Sequence, residues 1–144
     1  FSYHPFLMTM GFVGFMGSAA HRKKLGGYSN TKMHGIIASL GVMFSIGGLY
    51  IIYSNKEMNG KAHLTSNHSL AGIVTVTGCI MAMIPGAFVL HPDFGIDRSN
   101  KNIRFAHKWF SRSVIALGWI TCFMGLQQLT NDTVTLAMYG LPLL

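Results

Sequence analysis

Long apolar runs alternate along this chain with short stretches rich in polar, basic and glycine residues. Four of the runs, approximately 4–20, 33–53, 68–90 and 107–129, approach the length of a bilayer crossing. Such a crossing takes about 20 mostly apolar residues in helical form, because a helix satisfies its own backbone polar groups where no water can. The pattern predicts four spanning helices joined by short loops. A fifth apolar stretch, Thr133 to Leu144, ends too soon to cross and predicts part of a further C-terminal helix. The expected fold class is all-α, a transmembrane helical bundle forming one domain over residues 1–144. The chain opens without an initiator Met and shows no signal peptide, so it reads as the excised core of a longer protein.

Four histidines, His4, His34, His68 and His107, each stand at the start of one of these runs. Consecutive spanning helices run antiparallel, so the first and third starts share one side of the bilayer and the second and fourth share the other. His4 is therefore expected to meet His68, and His34 to meet His107. Ionisable residues in a membrane span are costly and read as functional by default. Two facing imidazoles with a planar gap between them suit the two axial positions of a haem iron. The cofactor expected is a pair of haems, one per histidine pair. No Cys-x-x-Cys-His occurs, so they would be noncovalent, b-type haems.

Local sequence fits helices that begin near each histidine. Pro5 suits a first helical turn, and Ser29 or Asn30, Ser66 or Asn67, and Asn100 or Asn102 can cap the later starts. Four residues beyond the histidines, on the same helical face, stand Met8, Ala38, Gly72 and Ser111, and seven beyond stand Gly11 and Gly41. Small residues there leave room for a flat macrocycle, and they equally suit helix-to-helix contact in a membrane.

Composition supports the membrane reading independently. Half of the residues are hydrophobic and 10% are charged, against about 25% charged in a soluble domain, and the mean hydropathy is +0.39. The net charge of +7 comes from residues confined to the borders of the apolar runs. Arg22, Lys23, Lys24, Lys32, Arg98, Lys101, Arg104 and Lys108 fall on one side, and Lys56 and Lys61 on the other. The positive-inside rule makes the first side cytoplasmic, with His34 and His107 near it. Lipid headgroups or a small anionic substrate explain this placement, and nucleic-acid binding is excluded as a reading. Cys79 and Cys122 lie within apolar runs, with no pairing motif, as small core residues. His21 and His91 read as loop or helix-end residues. His63 reads as an interfacial loop residue or part of an outer substrate site. Arg112 either snorkels toward the interface or pairs with a haem propionate.

The stretches Phe1-Ser2-Tyr3-His4-Pro5-Phe6-Leu7-Met8, Lys32-Met33-His34-Gly35, Gly60-Lys61-Ala62-His63-Leu64-Thr65-Ser66-Asn67-His68 and Phe105-Ala106-His107 together resemble the cytochrome b-561 family. These are ascorbate-reducible transmembrane di-haem proteins, and the Gly-Lys-Ala-His stretch looks most like their small ferrireductase branch. The resemblance implies a six-helix protein of which this chain holds helices two to five and part of the sixth. It implies an oxidoreductase that takes electrons from cytoplasmic ascorbate, through haems on His34/His107 and then His4/His68, to monodehydroascorbate or a ferric chelate outside. It implies an endomembrane or plasma-membrane location. Lys32 fits the family's pattern of basic ascorbate-binding residues, with Lys101 and Arg104 as further matches. Homodimerisation stays open.

Two other classes remain at this stage. One is a non-catalytic di-haem subunit relaying electrons to a quinone-linked partner. The other is a haem-free transporter, disfavoured because Glu57, Asp93, Asp97 and Asp132, all the acids present, lie in loops or near helix ends.

Overall fold

A computed structural model describes residues 3–140, and every regular element in them is helical. The first run extends from Tyr3 to Leu25 without a break, as α1 (Tyr3–Thr9), a π-helical segment (Met10–Phe15) and α2 (Met16–Leu25). Then follow α3 (Tyr28–Met58), α4 (Asn67–Phe88), α5 (Lys101–Gln127) and the short α6 (Thr133–Gly140). Residues 141–144 of the expected C-terminal helix, and Phe1 and Ser2 of the first family-like motif, lie outside the described residues. The N-terminal run packs along α3 throughout and against α5 in its first half, α3 against α4, and α4 against α5. The result is a closed antiparallel bundle.

Three helices, α3, α4 and α5, are long and apolar enough to cross a membrane. Their packing is that of a protein solvated by lipid. Large apolar side chains such as Met43 (66% exposed), Val74 (59%) and Met81 (57%) face outward, while the completely buried side chains are Ser45 and Thr75. Small residues let helix backbones approach, which is the main source of helix association where lipid is as apolar as leucine. Their hydroxyls cost nothing because each donates within its own helix. Ser45 bonds the Gly41 carbonyl at 2.8 Å, Thr75 that of Ala71 at 2.7 Å and Thr121 that of Leu117 at 2.7 Å.

The helix starts differ in part from the sequence reading. Ser66 caps α4 through a reciprocal box with Ser69, and Asn100 caps α5 by accepting from Ile103 N–H at 3.0 Å. Ser29 and Asn30 do not cap α3. They lie inside it, its N-cap is Gly27, and Asn30 instead donates to the Gly26 carbonyl at 2.8 Å. Consecutive glycines with positive φ, Gly26 and Gly27, make the tight α2–α3 turn without a capping side chain. His4 and His68 stand in the first turn of their helices, but His34 and His107 are each the seventh residue, because α3 and α5 start earlier in polar, basic sequence.

The π segment lies where the bundle is tightest. Met16 N–H donates to the Gly11 carbonyl, five residues back. The Trp119 indole N–H, from α5, donates to the Phe12 carbonyl at 3.0 Å. The Phe12 ring, 3% exposed, fills the space above Gly118. A Cβ on Gly118 would stand 2.6 Å from Phe12 Cδ1. Gly118→Val should therefore lower the thermal unfolding midpoint in detergent, by a cost of about 1–3 kcal/mol for overpacking. Gly17→Ala, whose new Cβ meets only Trp119 Cζ2 at 3.8 Å, should leave it nearly unchanged.

Candidate cofactor-binding site

The bundle brings the four histidines together in two pairs. His4 and His68 have ring centroids 6.2 Å apart with planes at 90°. His34 and His107 stand 6.4 Å apart at 85°. A metal–imidazole bond of about 2.0–2.1 Å on each side, plus roughly 1.1 Å from each nitrogen to its ring centre, requires about 6.3 Å between centroids. Rings turned nitrogen to nitrogen at that spacing leave about 4 Å between the two atoms, too far for a hydrogen bond. One iron fills such a gap. Among the described residues no cluster of three or more His, Cys, Asp or Glu converges, so each pair offers two protein ligands and no more.

The other ring nitrogen of each histidine shows how the rings are held. His4 Nδ1 donates to the Gly48 carbonyl at 2.8 Å, His34 Nδ1 to that of Ala19 at 2.9 Å and His68 Nδ1 to that of Thr121 at 3.1 Å. A carbonyl can only accept, so these Nδ1 atoms carry the proton and Nε2 keeps its lone pair for a metal. His107 Nδ1 is buried without a formed hydrogen bond, with the Ala82 carbonyl as its backbone neighbour. Glycines complete the seats on α4 and α5. A Cβ on Gly125 would stand 2.9 Å from His68 Cε1, and one on Gly86 would stand 3.2 Å from His107 Cε1.

These acceptors follow a spacing rule. Gly48 lies 14 residues after His34, Ala82 14 after His68, and Thr121 14 after His107. Fourteen residues are about four turns of α-helix, so a histidine and the acceptor for its neighbour share one face, about 21 Å apart along the axis. In the first run the spacing is 15, from His4 to Ala19. The π segment between them takes up the extra residue and keeps both in phase. Sequence reasoning missed the acceptors, Gly86, Gly125 and the π segment. The 14-residue interval from His34, His68 and His107 to a small residue was the available signal.

Around His34 and His107 lies a cavity of about 1290 Å³, walled by α2, α3, α4 and α5. Its size exceeds the roughly 300–1,000 Å³ of ordinary small-molecule pockets and suits a macrocycle. Ala38 and Ser111 line it, and Ser111 Oγ is buried without a partner. Gly11 and Gly41 do not serve as a cradle. A Cβ on either would stand 3.1 Å from the other's carbonyl oxygen, so they are a helix contact. The two haems expected from the sequence fit these residues. The fit rests on centroid spacing, free Nε2 atoms and glycine seats.

The charged residues sort differently from the sequence reading. Arg104 lines the cavity, and Lys23, close enough for the two charges to repel, joins it. Lys24, Arg98, Lys108 and Arg112, none of them named as substrate residues from sequence, line it too. Arg112 also stacks over Trp109 at 5.3 Å. Lys101 is the first residue of α5 and is not part of the lining. Lys32 pairs with Asp93 at 2.8 Å. At the opposite end, His63 bonds Glu57 at 2.7 Å and stacks on Tyr53 at 4.6 Å between centroids. His91 lines the cavity, stacked on Phe94, while His21 is exposed on α2.

The family model of eukaryotic cytochrome b561 matches residues 3–132. The chain belongs to this family. It is similar to the transmembrane reductase CYB561D2 of Mus musculus, 29% identical over 100 residues that make up 64% of this chain and 45% of that protein. It is also similar to the ascorbate-specific transmembrane electron transporter 1 of Zea mays, 32% identical over 99 residues, 60% of this chain and 42% of that protein. The chain thus spans less than half the length of the curated relatives it matches. No solved structure matches it.

Two outcomes check this geometry. Gly125→Val should displace the His68 ring and strip haem mainly from the His4/His68 pair, leaving the His34/His107 spectrum in place. Deleting Val13 should turn the π segment into α-helix at the 14-residue spacing and preserve haem content. Deleting Val74 from α4 rotates His68 about 100° against Ala82 and should abolish it.

Proposed function

We propose that this chain is the four-crossing, electron-conducting core of a transmembrane oxidoreductase, with two noncovalent b haems held by His4/His68 and His34/His107. The observation that carries the reading is the pair of 6.2 Å and 6.4 Å imidazole spacings at opposite ends of one bundle. Bound there, the haems would carry single electrons from ascorbate at the basic, cytoplasmic end to monodehydroascorbate or a ferric chelate at the other. The relatives' printed names, a transmembrane reductase and an ascorbate-specific electron transporter, support that reaction class.

The chain's own residues supply the rest. Two histidines per iron leave no open coordination position, which favours electron transfer over oxygen binding. The Nδ1–H···O=C bonds of His4, His34 and His68 fix those rings and raise the donor strength of their Nε2 atoms. Between the two levels the bundle is dry, filled by Phe12, Met16, Val42, Val76, Cys79 and Val114. Ascorbate is a monoanion at neutral pH, and Lys32, with the cations lining the cavity, draws it to the His34/His107 end. Neither Lys32 nor Lys101 is part of the lining; Lys32 is the preferred candidate because it stands two residues before His34. At the other end, His63, stacked on Tyr53 and bonded to Glu57, stands in the loop that leads into α4 and His68, the proposed place for an acceptor.

The test is spectroscopic. The full-length protein should bind two haems with six-coordinate, low-spin iron that ascorbate reduces. His34→Ala or His107→Ala should remove mainly one haem, and His4→Ala or His68→Ala mainly the other. A stoichiometry near one, a high-spin spectrum, or losses that pair His4 with His34 would refute the arrangement. A haem-free preparation would favour the transporter class.

A further inference from the structure

One carboxylate ties the α4–α5 loop to the start of α3. Asp93 Oδ2 lies 2.8 Å from Lys32 Nζ, and its Oδ1 accepts the Tyr28 hydroxyl. The Lys32 ammonium also stands 5.9 Å from the centre of the Tyr28 ring. The loop is stiffened locally, since Asp93 N–H donates to His91 Nδ1 and Arg98 donates to the Pro92 carbonyl. Leu90, His91, Pro92 and Phe94 from this loop, with Tyr28 and Thr31 from α3, line the large cavity. Asp93 therefore fastens one wall of that cavity to another, and it does so with the same lysine assigned above to the substrate.

We propose that Asp93 is a built-in competitor for the anionic substrate: an oxyanion of the ascorbate class reaches Lys32 by taking Asp93's place, and the α4–α5 loop is released as it does so. This inference rests on the reading of Lys32 as part of the substrate site. Two anions in contact with one ammonium repel each other, so the arrival of one weakens the hold of the other. The Lys32 hydrogen bond first, and the Tyr28 hydroxyl second, hold the Asp93 carboxyl below its ordinary range, so it is ionised throughout the neutral region and the latch is closed when no ligand is present. The pair is solvent-accessible, where water screens an ion pair and leaves it easily exchanged. Displacing Asp93 vacates an ammonium and a phenolic hydroxyl side by side. The ligand that replaces it is an anion with two neighbouring oxygens, as in an enediolate or a carboxylate. A closed state that must open before binding raises the apparent dissociation constant by the reciprocal of the open fraction.

The experiment uses full-length protein in lipid nanodiscs and rapid mixing with ascorbate. Asp93→Asn should lower the ascorbate concentration for half-maximal reduction rate several-fold. Asp97→Asn, which removes a charge from the same loop without touching Lys32, should change it little. In a Lys32→Met background, Asp93→Asn should have no further effect. Haem content and reduction by dithionite should stay at wild-type values. If Asp93→Asn loses haem, Asp93→Ser carries the test, with a shift in the same direction. Should Lys32→Met alone leave the ascorbate dependence unchanged, Lys32 is no part of the substrate site and the inference falls with that reading. Should Lys32→Met weaken it while Asp93→Asn (or Asp93→Ser) leaves it unchanged or weakens it too, Asp93 positions Lys32 instead of competing, and the latch alone is overturned.

Discussion

An imidazole N–H in hydrocarbon must find an acceptor, and nearly everything in this bundle is arranged around that requirement. In such surroundings the acceptors within reach are backbone carbonyls, and a helical carbonyl has a lone pair to spare beside its own helix bond. The Nδ1 atoms of His4, His34 and His68 each use one from a neighbouring helix. The consequence reaches further than one hydrogen bond. It fixes the tautomer, brings the histidine-bearing helix close to its neighbour, and forces a small residue at the point of approach. Gly48 supplies both the acceptor for His4 and the lack of a side chain, and Ala19 comes close to doing the same for His34. On the other two helices the roles are divided, with the acceptor side at Thr121 and Ala82 and the gap one turn on, at Gly125 and Gly86.

Three of the four expected spans, α3, α4 and α5, and the meeting of the four histidines in two pairs were legible in the sequence, because they depend on composition over a long window and on the alternation of antiparallel helices. The capping roles of Ser66 and Asn100 were legible too, since a cap is a local chemical preference. The start of α3 was misplaced because apolarity marks where a helix enters lipid, while the helix itself began earlier, at Tyr28; α5 begins directly after the expected Asn100 cap, six residues before His107. Gly11 and Gly41 show a different limit. A glycine four or seven residues from a ligand looks the same in sequence whether it faces a cofactor or another glycine. Only the contact between helices decides, and here they face each other.

The π segment was not legible at all, and the reason is instructive. One additional residue between His4 and Ala19 alters no composition and breaks no apolar run. It becomes visible only against the 14-residue interval of the other three helices, whose meaning lies in contacts between helices. In a regular α-helix that residue would rotate Ala19 by about 100° away from His34. The fold absorbs it where Trp119 donates to the Phe12 carbonyl and Phe12 rests on Gly118. A local irregularity thus preserves a long-range regularity.

That regularity makes the two ends of the bundle nearly equivalent in their histidines, so whatever distinguishes them must come from the loops. At the α2–α3 and α4–α5 end, Lys23, Lys24, Arg98, Arg104, Lys108 and Arg112 surround the cavity, and Asp93 answers Lys32 alone. At the α3–α4 end the charges are few, and two of them have partners within that end. Lys56 donates to the Ala62 carbonyl, and Glu57 holds His63. An anion is drawn to the first end and gains little from the second. A scaffold nearly symmetric in its histidines thus acquires two unlike ends from the charges at its mouths.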